Sequence, residues 1–144
     1  MNKPTPGDFR PFDATFRRGR FVEEWNVDLY LSGVYMCTVK LFLGRPPYYS
    51  PWAEVFNLGP VIKTPWEKTL YCILYRLLEP GNVAYVEYID DVETYDALRR
   101  GTPPGETRLG KLLEDCGFHV VRDLYFPEGW LEGGVKLQAV RKGS

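Results

Sequence analysis

Residues 52–89, WAEVFNLGPVIKTPWEKTLYCILYRLLEPGNVAYVEYI, contain the clearest structural signals in the chain. The first seven residues are rich in strand formers and stop at Gly59-Pro60, which predicts a strand. A helix follows, because Thr64 suits the N-cap, Pro65 the first helical position and Glu67 the capping box. Its apolar face repeats at helical spacing and consists of Trp66, Leu70, Ile73, Leu74 and Leu77.

Pro80-Gly81 ends this helix, and residues 83–89, VAYVEYI, return to a strand pattern. Apolar residues occupy nearly both faces of this segment, which is typical of a central strand buried on both sides. The central part of the chain therefore reads as strand, loop, helix and strand.

The flanking segments complete the prediction. Residues 1–20, with three prolines and a basic group at 17–20, are expected to form an extended N-terminal arm. Residues 21–43 alternate with period two around Ser32-Gly33, which predicts an antiparallel hairpin. After residue 90 we expect helices to about 100 and 116, then strands at about 118–126 and 134–141. The predicted fold class is α+β, a single domain at 21–144 with a mixed, mostly antiparallel sheet in the order β-β-β-α-β-α-α-β-β.

Composition excludes several classes of protein. One domain is expected from 144 residues, with 44% hydrophobic and 26% charged residues as in ordinary globular chains. A net charge of −1 argues against nucleic acid or an anionic membrane as partner. Without a signal peptide or spanning segment, the protein is expected in the cytoplasm. The few Gln and Asn residues resemble thermophile usage. Cys37, Cys72 and Cys116 lack metal-binding spacing and are interpreted as core residues. The single histidine, His119, follows Gly117-Phe118 in a strand-like run and is expected to have a structural role.

The loop before the first long helix is a candidate anion site. Free N–H groups at a helix N-terminus attract phosphate, Gly59 permits close approach, and Lys63 and the Thr64 hydroxyl would add donors. The alternative is that Thr64 serves only as the helix cap.

An acidic cluster lies at residues 87–96, at the end of the predicted central strand. Glu87 is the candidate general base, because a carboxylate on an apolar strand needs a partner or a shifted pKa. The alternative is a structural ion pair with Arg108, Arg122 or Lys136. Tyr125 is a candidate proton donor or a packing residue. Trp130, in the loop PEGWLEGG, is a candidate ligand cover or another packing residue.

The segment LGKLLEDCGFHVVRDLYF, residues 109–126, resembles the last helix and sixth strand of the GNAT N-acyltransferase superfamily. Together with YIDDVETYDALRRGTPPGETRLG and YFPEGWLEGG, it is also similar to a microbial family of unknown function associated with that superfamily. The resemblance covers about residues 21–142. RLLEPGNVAYVEYI, in turn, looks like part of a class I methyltransferase.

The GNAT resemblance implies a divergent acyl-CoA-dependent N-acyltransferase acting on a small-molecule or peptide amine. Acetyl-CoA or another acyl-CoA would run along the strand ending at Leu58 and place its pyrophosphate on residues 59–64, including Gly59, Val61, Lys63 and Thr64. The sequence departs from the family in three ways: GPVIKTPW replaces the glycine-rich loop, Leu113 stands at the position of the frequent catalytic tyrosine, and the two N-terminal helices are missing.

Two alternatives remain, the first based on these departures and the second on the segment RLLEPGNVAYVEYI. The first is a non-catalytic binding or interaction module, possible as a homodimer through the aromatic segment 47–52. The second is an S-adenosylmethionine-dependent methyltransferase-like protein, although no GxGxG motif is present.

Overall fold

The protein is built on one mixed β-sheet covered by helices. The computed structural model describes residues 1–127 and 134–143. Within them the sheet has seven strands in the order β1-β2-β3-β4-β5-β7-β6, of which only β4 and β5 are parallel neighbours. The strands are β1 (Asp13–Arg18), β2 (Glu24–Leu31), β3 (Val34–Phe42), β4 (Trp52–Phe56), β5 (Val83–Glu87), β6 (Phe118–Phe126) and β7 (Gly134–Arg141).

In the described part of the chain, three α-helices connect the later strands: α1 (Pro65–Leu77), α2 (Val92–Arg99) and α3 (Arg108–Cys116). Short 3-10 helices lie at Pro6–Phe9 and Pro104–Glu106. The predicted α+β class with a mostly antiparallel sheet is confirmed. None of the helices in the described residues is long and apolar enough to cross a membrane. The methyltransferase alternative is wrong, because that fold needs several parallel strands and β1 to β4 are all antiparallel.

The predicted order of elements omits β1. Residues 1–20 are extended at Asp13–Arg18, as expected of an arm, but this segment is hydrogen-bonded to β2 as an edge strand of the sheet. The period-two signal in DATFRR is confined to Ala14 and Phe16, the half-buried residues, because an edge strand that is largely exposed carries little apolar patterning.

The sheet has two different faces. One belongs to the core, where Val27, Val39, Val55, Val86 and Leu137 lie in one cross-strand row and pack with residues of α1 and α3. We call the other the open face. It carries the row Asn26, Lys40, Glu54, Tyr85 and Gln138.

The expectation that β5 is buried on both sides is wrong. Ala84 and Val86 are fully buried, whereas Val83, Tyr85 and Glu87, which point to the open face, are only half-buried. Because VAYVEYI consists mostly of aromatic and aliphatic residues, its sequence predicts that both faces are buried. The face that carries Val83, Tyr85 and Glu87 is in fact partly accessible. Cys37 and Cys116 lie in the core as predicted, and burial raises the pKa of the Cys37 thiol to about 12.

Gly110 marks a close contact between α3 and the preceding 3-10 helix. A Cβ atom at this position would lie 2.1 Å from the Pro104 carbonyl oxygen, while one at Gly105 would have no neighbour closer than 3.7 Å. We therefore expect Gly110→Ala to lower the free energy of unfolding by about 1–3 kcal/mol, because this clash outweighs the roughly 1 kcal/mol that alanine gains in a helix. Gly105→Ala is the control, with little expected change in urea unfolding. Equal stability of the two variants would contradict the contact.

Candidate functional site

The pairing of the parallel strands β4 and β5 ends at Val55 and Val86. Asn57 has a left-handed φ of 59°, and β5 ends at Glu87. The Asn57 backbone N–H donates to the Glu87 carboxylate just beyond the last pair. Glu87 thus lies at the carboxyl end of the parallel pair, the end at which open sheets commonly bind ligands. We call this place the β4–β5 gap.

The environment of Glu87 favours its protonated form. Burial raises the pKa of the carboxyl and the nearby Asp90 charge raises it further, while the Asn57 N–H and Lys136 lower it; the net pKa is raised. A carboxylate that holds a proton more strongly than usual, yet is partly accessible, suits a general base.

Of the three ion-pair partners considered for Glu87, Lys136 is the one that the structure brings beside it. Arg108 binds Glu67 and Asp91, and the Arg122 Nε donates to Gln138 at 2.8 Å. Lys136 is the cross-strand neighbour of Glu87 on β7, but its ammonium donates to Glu54 on β4. Glu87 is therefore flanked by an ion pair to which it does not belong.

Glu54 is a residue of this region that sequence reasoning missed. Both Glu54 and Lys136 are almost inaccessible, at 2% and 1% exposure, and their ion pair spans β5 on the open face. The Phe126 ring lies 5.1 Å from the Lys136 ammonium. The signal that could have found Glu54 is a lone charge in the middle of the apolar strand WAEVF.

The loop 58–64 does not present the free amides expected of a pyrophosphate site. The amides of Val61 and Ile62 donate to the Leu58 carbonyl, and that of Thr64 donates to the Val61 carbonyl. The Lys63 amide donates to the Glu67 carboxylate at 3.0 Å. These donors are used within the chain.

The side chains of the same loop divide into buried and exposed ones. Leu58 and Val61 are core residues. Thr64 caps α1, since its Oγ1 accepts from the Trp66 amide at 3.3 Å, as in the capping alternative. Gly59 and Lys63 are exposed, and the Lys63 Nζ lies 3.3 Å from Glu93. What this loop can offer an anion is therefore the Gly59 surface and the Lys63 ammonium.

Tyr125 is not brought to Glu87. It is 74% exposed on the outer strand β6, and the strand register places it on the sheet face opposite to Glu87. Glu128, Trp130 and Glu132 lie outside the described residues. Among the residues that the structure describes, no group of three or more His, Cys, Asp or Glu side chains is placed to hold a metal ion.

A buried ion network lies behind the loop, at the start of α1. The Arg108 guanidinium donates to both oxygens of Glu67 at 2.8 Å and to Asp91 at 2.7 Å. Thr94 also donates to Asp91, at 2.6 Å, and Tyr71 donates to Glu67, at 3.0 Å. This Arg108 network joins the N-termini of the three helices. It also holds Glu67, which accepts from the Lys63 amide of the loop 58–64.

These features define a single-sheet α+β protein with a candidate ligand site at the carboxyl end of its parallel strand pair, the β4–β5 gap. The chain belongs to the family described as "Protein of unknown function (DUF1122)", whose model matches residues 8–143. The resemblance to a microbial family of unknown function is thereby confirmed. A search of curated protein sequences gives no match.

Solved structures provide further similarities. A protein of unknown function from Aquifex aeolicus VF5, AQ1966, is 42% identical over 88% of this chain, with a TM-score of 0.76. The chain spans 66% of that protein's length. A chimera of spermidine N-acetyltransferase SpeG from Vibrio cholerae and hSSAT is 16% identical, with a TM-score of 0.48, covering 83% of this chain and 68% of the chimera. The GNAT domain of S. lividans PAT is 13% identical, with a TM-score of 0.42, covering 85% and 64%.

Proposed function

We propose that this protein is an acyl-CoA-dependent N-acyltransferase whose acceptor is a small-molecule or peptide amine. The observation that carries the proposal is the Glu87 carboxylate, partly accessible and with a raised pKa, in the β4–β5 gap. The GNAT resemblance of the sequence supports the proposal, since it implies an acyl group between these two strands.

In the proposed reaction the amine nitrogen attacks the thioester carbonyl carbon. A C–N bond forms while the C–S bond breaks, the proton of the amine passes to the Glu87 carboxylate, and the CoA thiolate leaves and takes a proton from water. Tyr125 has no part in this step, because it lies on the opposite face of the sheet. The residues proposed to contact the donor's pyrophosphate are Gly59 and Lys63, since the other amides of the loop are already bonded.

Binding of the donor is testable with a matched pair of lysines. Lys63 precedes α1, whereas Lys68 is exposed within it. We expect Lys63→Ala to weaken CoA and acetyl-CoA binding about fivefold, the effect of losing one exposed ionic contact, and Lys68→Ala to leave it nearly unchanged. Isothermal titration calorimetry measures both. Equal effects would contradict the contact with Lys63, and a wild-type chain that binds neither CoA species would contradict the proposed donor.

A second candidate is a non-catalytic ligand-binding or interaction module. The observation that favours it is the loop 58–64, whose amides bond within the chain instead of remaining open to a phosphate. An assay of CoA release from acetyl-CoA in the presence of amines separates the two candidates, because a non-catalytic module would release no CoA even if it binds the donor.

A further inference from the structure

A cavity lies at the end of strands β4 and β5 opposite to the β4–β5 gap. It has a volume of about 430 Å³ and lies between the turn preceding β2 and the segment joining β3 to β4. Trp52, the first residue of β4, lines it, while Glu87 is the last residue of β5. Because β4 and β5 run in parallel, the cavity and Glu87 lie at opposite ends of the pair. The cavity is therefore separate from the site proposed for acyl transfer, and its volume is typical of a small-molecule site.

The walls of this cavity are aromatic. The rings of Phe42 and Trp52 stack with centroids 5.8 Å apart and planes inclined by 21°, and the Tyr85 ring supports Trp52 edge-on from behind. Phe21 and Tyr49, both largely exposed, complete the lining. A flat ring stack bounded by two exposed rings fits a planar ligand ring, because aromatic groups gain most from stacked or edge-on contact.

The polar groups of the cavity carry an accessible positive charge. Among the described residues, Arg45 and Glu23 are the two charged ones that line the cavity. The Arg45 Nε, at 2.7 Å, and the Arg45 Nη2 both donate to Glu23, which leaves Nη1 as the donor for a ligand; the Arg45 side chain is 58% exposed and that of Glu23 only 19%. Because Arg45 is much the more exposed of the two, the charge that a ligand meets is positive, which favours a ligand with a negative charge.

The backbone holds this arrangement in place. The Arg45 amide donates to the Tyr49 carbonyl at 2.9 Å, and the Tyr49 amide donates back to the Arg45 carbonyl at 3.0 Å. Gly44 has a φ of +88°, and a Cβ there would lie 3.0 Å from the Pro51 ring. Arg45 and Tyr49 are thus fixed relative to each other before any ligand binds, which lowers the ordering cost of binding.

We propose that this cavity binds a small planar aromatic carboxylate, with its ring against Phe42 and Trp52 and its carboxylate on the Arg45 guanidinium. The ring contact supplies apolar burial, and the charge-assisted hydrogen bonds to the guanidinium supply the preference for an anion. This binding site does not depend on the acyl-transfer proposal, because the two sites share no lining residue.

The test uses three probes with the same ring and different charge: 2-naphthoate, 2-naphthalenemethanol and 2-naphthylmethylamine. Saturation-transfer NMR and tryptophan fluorescence on the full chain give their affinities. We expect naphthoate to bind about tenfold more tightly than the alcohol, with the amine weakest. Arg45→Gln should reduce naphthoate to the affinity of the alcohol, and Trp52→Ala should weaken both. Arg76→Gln, an exposed arginine on α1, is the control.

Several results would overturn this proposal: an amine that binds as well as naphthoate, an Arg45→Gln variant that retains the naphthoate affinity, or the same loss in Arg76→Gln. Circular dichroism of each variant shows whether it is folded, and Arg45→Lys, which retains the charge, provides a second variant expected to keep part of the anion preference. Sedimentation would also overturn it if the chain forms a dimer that Trp52→Ala dissociates and that excludes naphthoate, because the cavity would then be filled by a second copy.

Discussion

Arg108→Ala is expected to lower the free energy of unfolding by about 3–5 kcal/mol, a large part of the stability of a domain of this size. The variant would leave two carboxylates without their cation, and both are almost inaccessible: the Glu67 side chain is 1% exposed and that of Asp91 is 0% exposed. Removing one member of a buried ion network costs more than the network itself contributes, because the remaining charges stay buried without compensation. Urea unfolding followed by circular dichroism measures the change.

The pH dependence of the free energy of unfolding is an independent test of the same network. Burial raises the pKa of Asp91, but hydrogen bonds from Arg108 and Thr94 outweigh it, so the pKa in the folded chain lies below the usual value of 3.8. Between the folded pKa and 3.8, the unfolded chain then binds more protons than the folded chain. The stability therefore falls as the pH falls through the folded pKa. In Arg108→Ala the main lowering interaction is lost while burial remains, so acidification toward pH 4 should stabilise this variant relative to pH 7.

Two further variants test whether the lower stability comes from breaking the network or from the loss of a positive charge in general. Arg108→Lys should be intermediate, because one ammonium cannot donate in a fork to two carboxylates. Arg76→Ala, on the exposed side of the last turn of α1, should change stability by less than about 1 kcal/mol. An Arg108→Ala variant no less stable than Arg76→Ala would contradict the role of the network.

The first helix illustrates what the sequence could and could not predict. Thr64, Pro65 and the apolar face identify α1 through local rules, and the structure confirms its N-cap. Glu67 reaches back as a capping box predicts, but to the Lys63 amide, and it also binds Arg108, which lies 41 residues further along the chain. A contact of such separation leaves no spacing signal in one sequence, so the Arg108 network was not predictable from it.

The candidate site shows the same division. Glu87 was identified because a charge interrupts an apolar strand, and Glu54 carries the same signal in a strand of the same length. The position of Tyr125 depends instead on a bulge between Val120 and Arg122, where one residue is left out of the pairing with β7. Simple alternation from Val120 would place Tyr125 on the open face with Glu87. The extra residue of the bulge moves Tyr125 to the opposite face. A β-bulge cannot be read from period-two patterning, which assumes a regular ladder.

Glu87→Gln should have the largest effect on the proposed activity, a loss of about 10²- to 10⁴-fold in kcat/KM for amine-dependent release of CoA from acetyl-CoA. Glutamine retains the shape and the hydrogen bond from Asn57 but cannot accept the proton. Glu79→Gln is the matched control, since Glu79 is exposed beyond the end of α1. Release of the CoA thiol, followed with a chromogenic disulfide and a panel of primary amines, measures the rate. Equal activity of the two variants would exclude Glu87 as the base.

Asp90→Asn tests how the environment of Glu87 sets its function. Because a base must be ionised, kcat/KM should fall as the pH is lowered through the Glu87 pKa, which lies above its usual value of 4.5, with burial as the largest cause and the Asp90 charge as another. Removing the Asp90 charge should move this acid limb to lower pH while leaving the rate at neutral pH nearly unchanged. NMR titration of the Glu87 carboxyl should show the same downward shift of its pKa in the absence of substrates. A purely structural role for Glu87 would leave the limb in place, because the charge at residue 90 acts on the proton affinity of the base and not on its position.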